Sequence, residues 1–294
     1  LLPFGEIKIS NENLKQQLGV TAKGVTRTTL LALHAFQQAV TDCKLNDADL
    51  QSSGTALISG NTIGGMCCSD ELYMDANHND VGSEYISSYN LGTVNMYLQQ
   101  RYNIGGIVNT FNTACSSSAN AIAYGARLIK YGFAKRAIVG GTDSLAKFTI
   151  NGFNSLNILS SSLCRPFDAA RDGLALGEGA AVMLLESEEA AAERGATSLG
   201  EAAGYATATD LNHLTQPDPE GKAAIRTMAG ACAMAGVTAG EVDYINSHGT
   251  GTPYNDVAEA SAIKSWAGES AGRIALSSTK SAMGHLLGGA GAVE

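Results

Sequence analysis

Short apolar runs alternate with helix-like segments along this chain, and that alternation narrows the folds open to it more than any other feature. Residues 30–40 read as a helix, 56–59 as a strand, 137–139 as another buried strand and 180–185 as a further apolar strand. Residues 186–194 are charged and alanine-rich, and Gly195 breaks them. Residues 198–206 open a second series, with a helix at 221–235. Strands separated by helices argue for parallel βαβ units, because two parallel neighbours need a long crossover between them. The expected class is therefore α/β. The break near Gly195 divides it into one part at 1–190 and another at 196–294.

Three stretches offer chemistry, and each follows a strand-like run. Residues 107–111 are β-rich and 118–130 carry a helical apolar stripe, so Cys115 in Asn112-Thr113-Ala114-Cys115-Ser116-Ser117-Ser118 falls at a strand-to-helix turn. Ser116, Ser117 and Ser118 are natural caps for that helix. A thiol there meets the positive end of the helix dipole, which favours the thiolate, and free backbone N–H groups can bind an oxyanion. Residues 242–246 read as a second strand leading to His248 in Ser247-His248-Gly249-Thr250-Gly251-Thr252-Pro253. Residues 273–277 read as a third, followed by Lys280 and His285, after which Gly284, Gly288, Gly289 and Gly291 open a close-packing helix. One thiol, two imidazoles and one ammonium suit a reaction in which a thiolate holds an acyl group while neutral donors stabilise developing negative charge. Ligands of α/β sheets gather at the carboxyl ends of strands, where these groups lie.

Composition removes other classes. With 19 Lys and Arg against 28 Asp and Glu the net charge is −9, without the basic balance of a nucleic-acid binder. No apolar run approaches the length of a membrane span. Six cysteines, namely Cys43, Cys67, Cys68, Cys115, Cys164 and Cys232, show no metal-type C-x-x-C spacing, so no metal is expected. No export signal is visible, and reduced thiols in a cytoplasmic setting are the expectation. His34 and His78 read as packing or surface residues. Cys67 and Cys68 read as small apolar side chains, and His213 sits in a loop that could approach a substrate entrance.

The three stretches together resemble the active-site motifs of the elongating β-ketoacyl-acyl carrier protein synthases, in the thiolase superfamily. The similarity extends to Gly60-Asn61-Thr62-Ile63-Gly64-Gly65, Arg165-Pro166-Phe167-Asp168, Arg171-Asp172-Gly173, Gly177-Glu178-Gly179 and residues 288–294. It implies a thiolase-like fold, with two similar βαβ halves stacked in α-β-α-β-α layers, and a homodimer. It implies Cys115 as nucleophile and His248 and His285 as the pair that holds the malonyl carbonyl and promotes decarboxylation. Lys280 would organise His285 and the charges around it. Thr250 and Thr252 would lie near the pantetheine arm, Ile63 and Phe153 would line or gate the acyl pocket, and Glu294 would belong to the hydrogen-bond network behind it. No cofactor is implied. The partner it implies is an acyl carrier protein with phosphopantetheine-linked acyl and malonyl groups. The two-histidine set distinguishes this group from initiating synthases (Cys-His-Asn), thiolases (a second cysteine) and chain-length factors (no nucleophile).

Two departures from the family pattern remain. The loop Asn77-His78-Asn79-Asp80-Val81-Gly82-Ser83-Glu84 is acidic or neutral where a carrier protein would meet basic residues. Either docking has moved, toward Lys23, Arg27, Arg127 and Lys130, or the carrier is a specialised one; the latter favours polyene-type or other secondary metabolism over housekeeping fatty-acid synthesis. The family's later glycine-rich strand and its first strand are not found, so the 294 residues are expected to be part of a longer product. A non-catalytic partner subunit and, less favoured, a cysteine hydrolase using Cys115 and His248 are the alternatives.

Overall fold

A computed structural model describes residues 2–78 and 80–294; Asn79, in the acidic loop noted above, lies outside the described residues. Among the described residues the strands are β1 (Phe4–Gly5), β2 (Thr55–Gly60), β3 (Val108–Phe111), β4 (Arg136–Asp143), β5 (Leu176–Gly177), β6 (Gly179–Glu186), β7 (Tyr244–Asn246) and β8 (Ala275–Ser277). The main sheet has the order β3-β2-β4-β6. Its first two pairings are parallel, with Leu57 opposite Val108 and Ile58 opposite Val139, and β6 closes it antiparallel to β4. Two smaller parallel pairs are β1 with β5 and β7 with β8.

The main sheet is apolar on both faces, because a helix covers each. Leu57 and Ile138 point toward Leu30, Leu33 and Phe36 of the helix Arg27–Asp42. Their neighbours Ala56, Ile58, Ala137 and Val139 point to the opposite side, against Ala121 and Leu128 of the helix Ser117–Lys130. Successive residues of a strand face opposite ways, so covering both faces turns β2 and β4 into unbroken buried runs. Helices on both faces of this sheet give the α/β layering expected from the sequence.

Two expectations need correction. Residues 198–206 form neither strand nor helix; their alanines and glycines offer few side chains to pack on a pleated surface. Arg27 is not a free surface charge: its guanidinium is fastened to the buried Glu178 carboxylate (2.6 Å) and to the carbonyls of Ile7 and Ile9. Glu178 in turn accepts from the N–H groups of Ile7 and Leu145, so this pair ties the N-terminal segment to the sheet. Lys23, Arg127 and Lys130 are exposed. Among the described residues no helix is long and apolar enough to cross a membrane.

Candidate active site

The nucleophile candidate stands on a tight turn. After β3 the chain must reverse into the helix Ser117–Lys130, and Ala114 does so in the left-handed region with φ 53°. Non-glycine residues there are uncommon and mark positions where the surroundings impose the conformation. The serines close the turn differently from simple caps. The Ser117 hydroxyl accepts from the N–H of Thr113 (2.9 Å) and donates to the carbonyl of Ala114 (2.6 Å). Ser116, the capping position, turns its hydroxyl back to Thr113 and caps no helix N–H. The electrostatics correct a second expectation. Burial pushes the Cys115 thiol up from its ordinary value; the Lys280 ammonium and the cysteine's own backbone N–H only partly offset this. A helix terminus alone does not make the resting thiol a thiolate here.

The imidazoles arrive from the other two strand ends. Ser247 prolongs the β7–β8 ladder by donating to the carbonyl of Ser277 (2.8 Å), and His248 follows at once. Gly249, with φ 36°, has no room for a side chain: a Cβ would lie 2.6 Å from Ser278. Lys280 follows β8 and is wholly buried, ion-paired with Glu294. His285 is also buried, and its backbone bridges β5 by donating to Ala175 (2.7 Å) and accepting from Gly177 (3.0 Å). The two rings meet edge-on with centroids 5.2 Å apart. Donor atoms of Cys115, His248 and His285 all lie within 4.8 Å of one another. Among the described residues this trio alone has the spacing of a metal-ligand set, but the neighbouring ammonium disfavours a dication.

Both imidazoles are neutral near pH 7. Burial pulls His248 down to about 3, helped by the charge of Lys280. Burial likewise holds His285 well below the usual imidazole range, with His248 and Lys280 adding to it. The N–H of Leu287 donates to Nδ1 of His285 (3.0 Å). An imidazole nitrogen that accepts a hydrogen bond carries no proton, so the proton of His285 is on Nε2. The site therefore holds a thiol faced by two uncharged rings that can donate N–H bonds.

An apolar cavity of about 440 Å³ opens beside the thiol, with Ile63, Met66, Cys115, Phe153, Leu156 and Leu287 among its lining. Ile63 and Phe153 thus both line the cavity that Cys115 opens onto. Thr250 and Thr252 are buried in the turn after His248, their hydroxyls 2.9 Å apart, away from this cavity. His34 lies on the helix Arg27–Asp42, and His213 lies in an exposed loop; His78, expected in a loop, instead ends the helix Ser69–His78, where its Nδ1 lies 2.8 Å from the carbonyl of Met74. Cys67 and Cys68 lie side by side with their sulfurs 3.8 Å apart, and Cys67 packs against the cluster that holds Ile63 and Leu287.

Three acidic residues hold the turns and were not singled out from the sequence. Glu259 accepts from the backbone N–H groups of His248 (2.6 Å) and Gly249 (2.8 Å), and burial raises its pKa. Asp256, one turn earlier on the helix Pro253–Ala267, accepts from Gly251 and Phe167 and faces Arg171. Both project back to the turn that begins their own helix. Asp143 ends β4, fully buried, with its pKa raised to about 6 by that burial against the pull of its hydrogen bonds. The signal for Asp143 is a single acid closing the apolar run 137–142 at a strand's carboxyl end.

Comparison with known proteins shows the family. Residues 13–191 match the family described as Beta-ketoacyl synthase, N-terminal domain, and residues 199–294 its C-terminal domain. The chain is 38% identical over 283 residues to a 3-oxoacyl-[acyl-carrier-protein] synthase 2 of Synechocystis, covering 93% of this chain and 68% of that protein. The ketosynthase ApeO, solved in complex with its chain length factor ApeC from Xenorhabdus doucetiae, superposes with a TM-score of 0.84 at 32% identity, covering 99% of this chain and 70% of that one. The structure AntDE:AntF, a type II PKS acyl-carrier protein in complex with its ketosynthase bound to the hexaketide, gives a TM-score of 0.87 at 28% identity, covering 99% of this chain and 72% of that one.

Proposed function

The chain belongs to the β-ketoacyl synthase family, and from that premise we propose that it condenses an acyl thioester with malonyl-acyl carrier protein, with loss of carbon dioxide, through an acyl-Cys115 intermediate. The observation that carries this reading is the pair of neutral imidazoles facing one thiol at the mouth of an apolar cavity. Cys115 attacks the incoming thioester, its proton passing to the departing carrier thiol, and the acyl chain settles along Ile63, Met66 and Phe153. The thiol is protonated at rest, so its deprotonation is part of the loading step, and the nearby Lys280 charge favours it.

Malonyl thioester then enters over the same pocket. Loss of carbon dioxide moves the electron pair of the broken C–C bond onto the thioester carbonyl as an enolate. Nε2–H of His285 and an N–H of His248 donate to that oxygen. Neutral donors in a dry site stabilise such charge without a metal and without prior rearrangement. The enolate carbon attacks the acyl carbonyl, the tetrahedral oxygen is held by backbone N–H at the Cys115 turn, and the thiolate leaves. Lys280, paired with Glu294, keeps a positive charge behind both rings and opposes their protonation.

The substrates are borne by an acyl carrier protein in fatty-acid or polyketide-type synthesis, with Thr250 and Thr252 near the path of its pantetheine arm. Its docking face includes the exposed Arg127 and Lys130. The halves are 1–190 and 196–294. The working form is a cytoplasmic homodimer; β3 is an outer strand with an open edge on which a second copy can add. Intact-mass measurement after incubation with acyl-carrier protein tests the first half-reaction. A mass gain of one acyl group, mapped to Cys115 and lost on adding malonyl-carrier protein as a two-carbon-longer β-keto product appears, is expected. Release of free acid instead would favour a hydrolase, and no mass gain a non-catalytic subunit.

A further inference from the structure

We propose that Asp143 is the positioning residue that fixes the proton of His285 on Nε2, by anchoring the turn that presents the Leu287 N–H to Nδ1. This rests on the reading of His285 as a donor to the enolate oxygen.

Asp143 joins two segments that are far apart in sequence. One carboxylate oxygen accepts from the N–H groups of Thr62 (2.9 Å) and Ile63 (2.8 Å). The other accepts from the hydroxyl of Thr62 (2.6 Å) and the N–H of Gly288 (2.7 Å). Among the described residues no ion pair reaches it, so it is not held there by a cation. Approach is tight: a Cβ on Gly288 would lie 2.8 Å from the carboxylate.

The residue before Gly288 bears on the imidazole. Leu287 occupies the left-handed region, with φ 52°, where leucine is disfavoured. Its surroundings impose that conformation. On one side Gly289 donates to the carbonyl of Leu286 (3.0 Å); on the other Gly288 is tied to Asp143. Held this way, the Leu287 N–H points at Nδ1 of His285 (3.0 Å). The alternative tautomer would set two N–H groups against each other. The same carboxylate holds Thr62 and Ile63, and Leu287 and Ile63 both line the acyl cavity. Pocket wall and imidazole thus share one anchor.

Asparagine is nearly isosteric with aspartate, yet donors occupy both sides of this carboxylate. In Asp143→Asn the amide nitrogen must oppose either Gly288 or the Thr62–Ile63 pair. The test combines ¹⁵N-histidine NMR of the folded protein, malonyl-carrier protein decarboxylation, and iodoacetamide alkylation of Cys115. Expected for the unaltered protein is His285 as a single tautomer with the proton on Nε2. Expected for Asp143→Asn is a tautomer mixture, decarboxylation slower by about 10- to 100-fold, the scale on which an imidazole's orienting partner acts, and alkylation nearly unchanged. A pure Nε2–H tautomer in folded Asp143→Asn overturns the proposal. A shifted tautomer with unchanged decarboxylation upholds the anchor and overturns the catalytic reading of His285.

Should that variant not fold, Gly288→Ala carries the test, because its Cβ would meet the Asp143 carboxylate at 2.8 Å and part the two. A tautomer mixture at His285 is expected there as well, and a pure Nε2–H tautomer overturns the proposal.

Discussion

Lys280 is buried with no exposed surface, and its only ion-pair partner among the described residues is Glu294, whose side chain is 12% exposed. Replacing Lys280 with Met keeps the length and removes the charge. Two effects follow, and they separate. The first is stability: removing one partner of a buried pair strands the other, which costs about 3–5 kcal/mol. At about 2–4 °C per kcal/mol for large domains, Tm should fall on the order of 10 °C. Lys280→Met combined with Glu294→Gln should regain most of it. The second effect is on the site. Burial already raises the Cys115 thiol and Lys280 pulls it partly back, so Lys280→Met should move the pH profile of alkylation to higher pH. For His248 and His285 burial is the larger cause of their low pKa and Lys280 a lesser one. Both rings should therefore stay neutral at pH 7, and malonyl decarboxylation, assayed apart from loading, should gain no acidic limb near neutrality. Such a limb would show that the ammonium, not burial, keeps the donors uncharged, and the electrostatic reasoning would fail.

Other expectations follow from the same geometry. His248→Ala or His285→Ala should each lower decarboxylation on the order of 10²–10³-fold while sparing acyl transfer to Cys115; equal losses in separate loading and decarboxylation assays would count against the division of roles. Cys115→Ala should gain no acyl mass, and labelling at Cys67 or Cys164 in that variant would reassign the nucleophile. Ile63→Phe should narrow the cavity beside the thiol and shift acyl-carrier preference toward shorter chains; an unchanged chain-length series would place the acyl group elsewhere. Asp143 has its folded pKa raised to about 6 from an ordinary 3.8. Its protonated form therefore favours the fold fully below about pH 3.8, and that contribution is lost as pH rises through about 6, by up to about 3 kcal/mol. The Tm difference between Asp143→Asn and the unaltered protein should move in the variant's favour across that window; a constant difference would contradict the buried ionisation.

The sequence made the strand ends legible because apolar runs followed by Cys, His or Lys leave few other arrangements. β3, β7 and β8 deliver Cys115, His248 and Lys280 much as the periodicity suggests. The covering of both faces of β2 and β4 was also readable, since such strands lose their alternation. What pattern did not supply was the set of acids behind the turns. Asp143, Asp256 and Glu259 act through backbone N–H groups, and a backbone donor leaves no mark in composition or spacing. Arg27 misled for a related reason: its Glu178 partner is 151 residues away, and no local signal distinguishes a buried pair from a surface charge. The thiol's protonation was misjudged because a helix terminus is visible in sequence, whereas desolvation depends on residues from several segments. Residues 198–206 escaped because their small side chains mimic a β-rich run without the bulk to pack one.

The most direct test is a single turnover on protein already acylated at Cys115. Mixed with one equivalent of malonyl-carrier protein, it should release one equivalent of carbon dioxide, form one equivalent of β-ketoacyl-carrier protein and return Cys115 to its free mass, with His285→Ala retaining the acyl group and releasing little carbon dioxide. Carbon dioxide release without loss of the acyl group, or loss of the acyl group as free acid, would contradict condensation at this site.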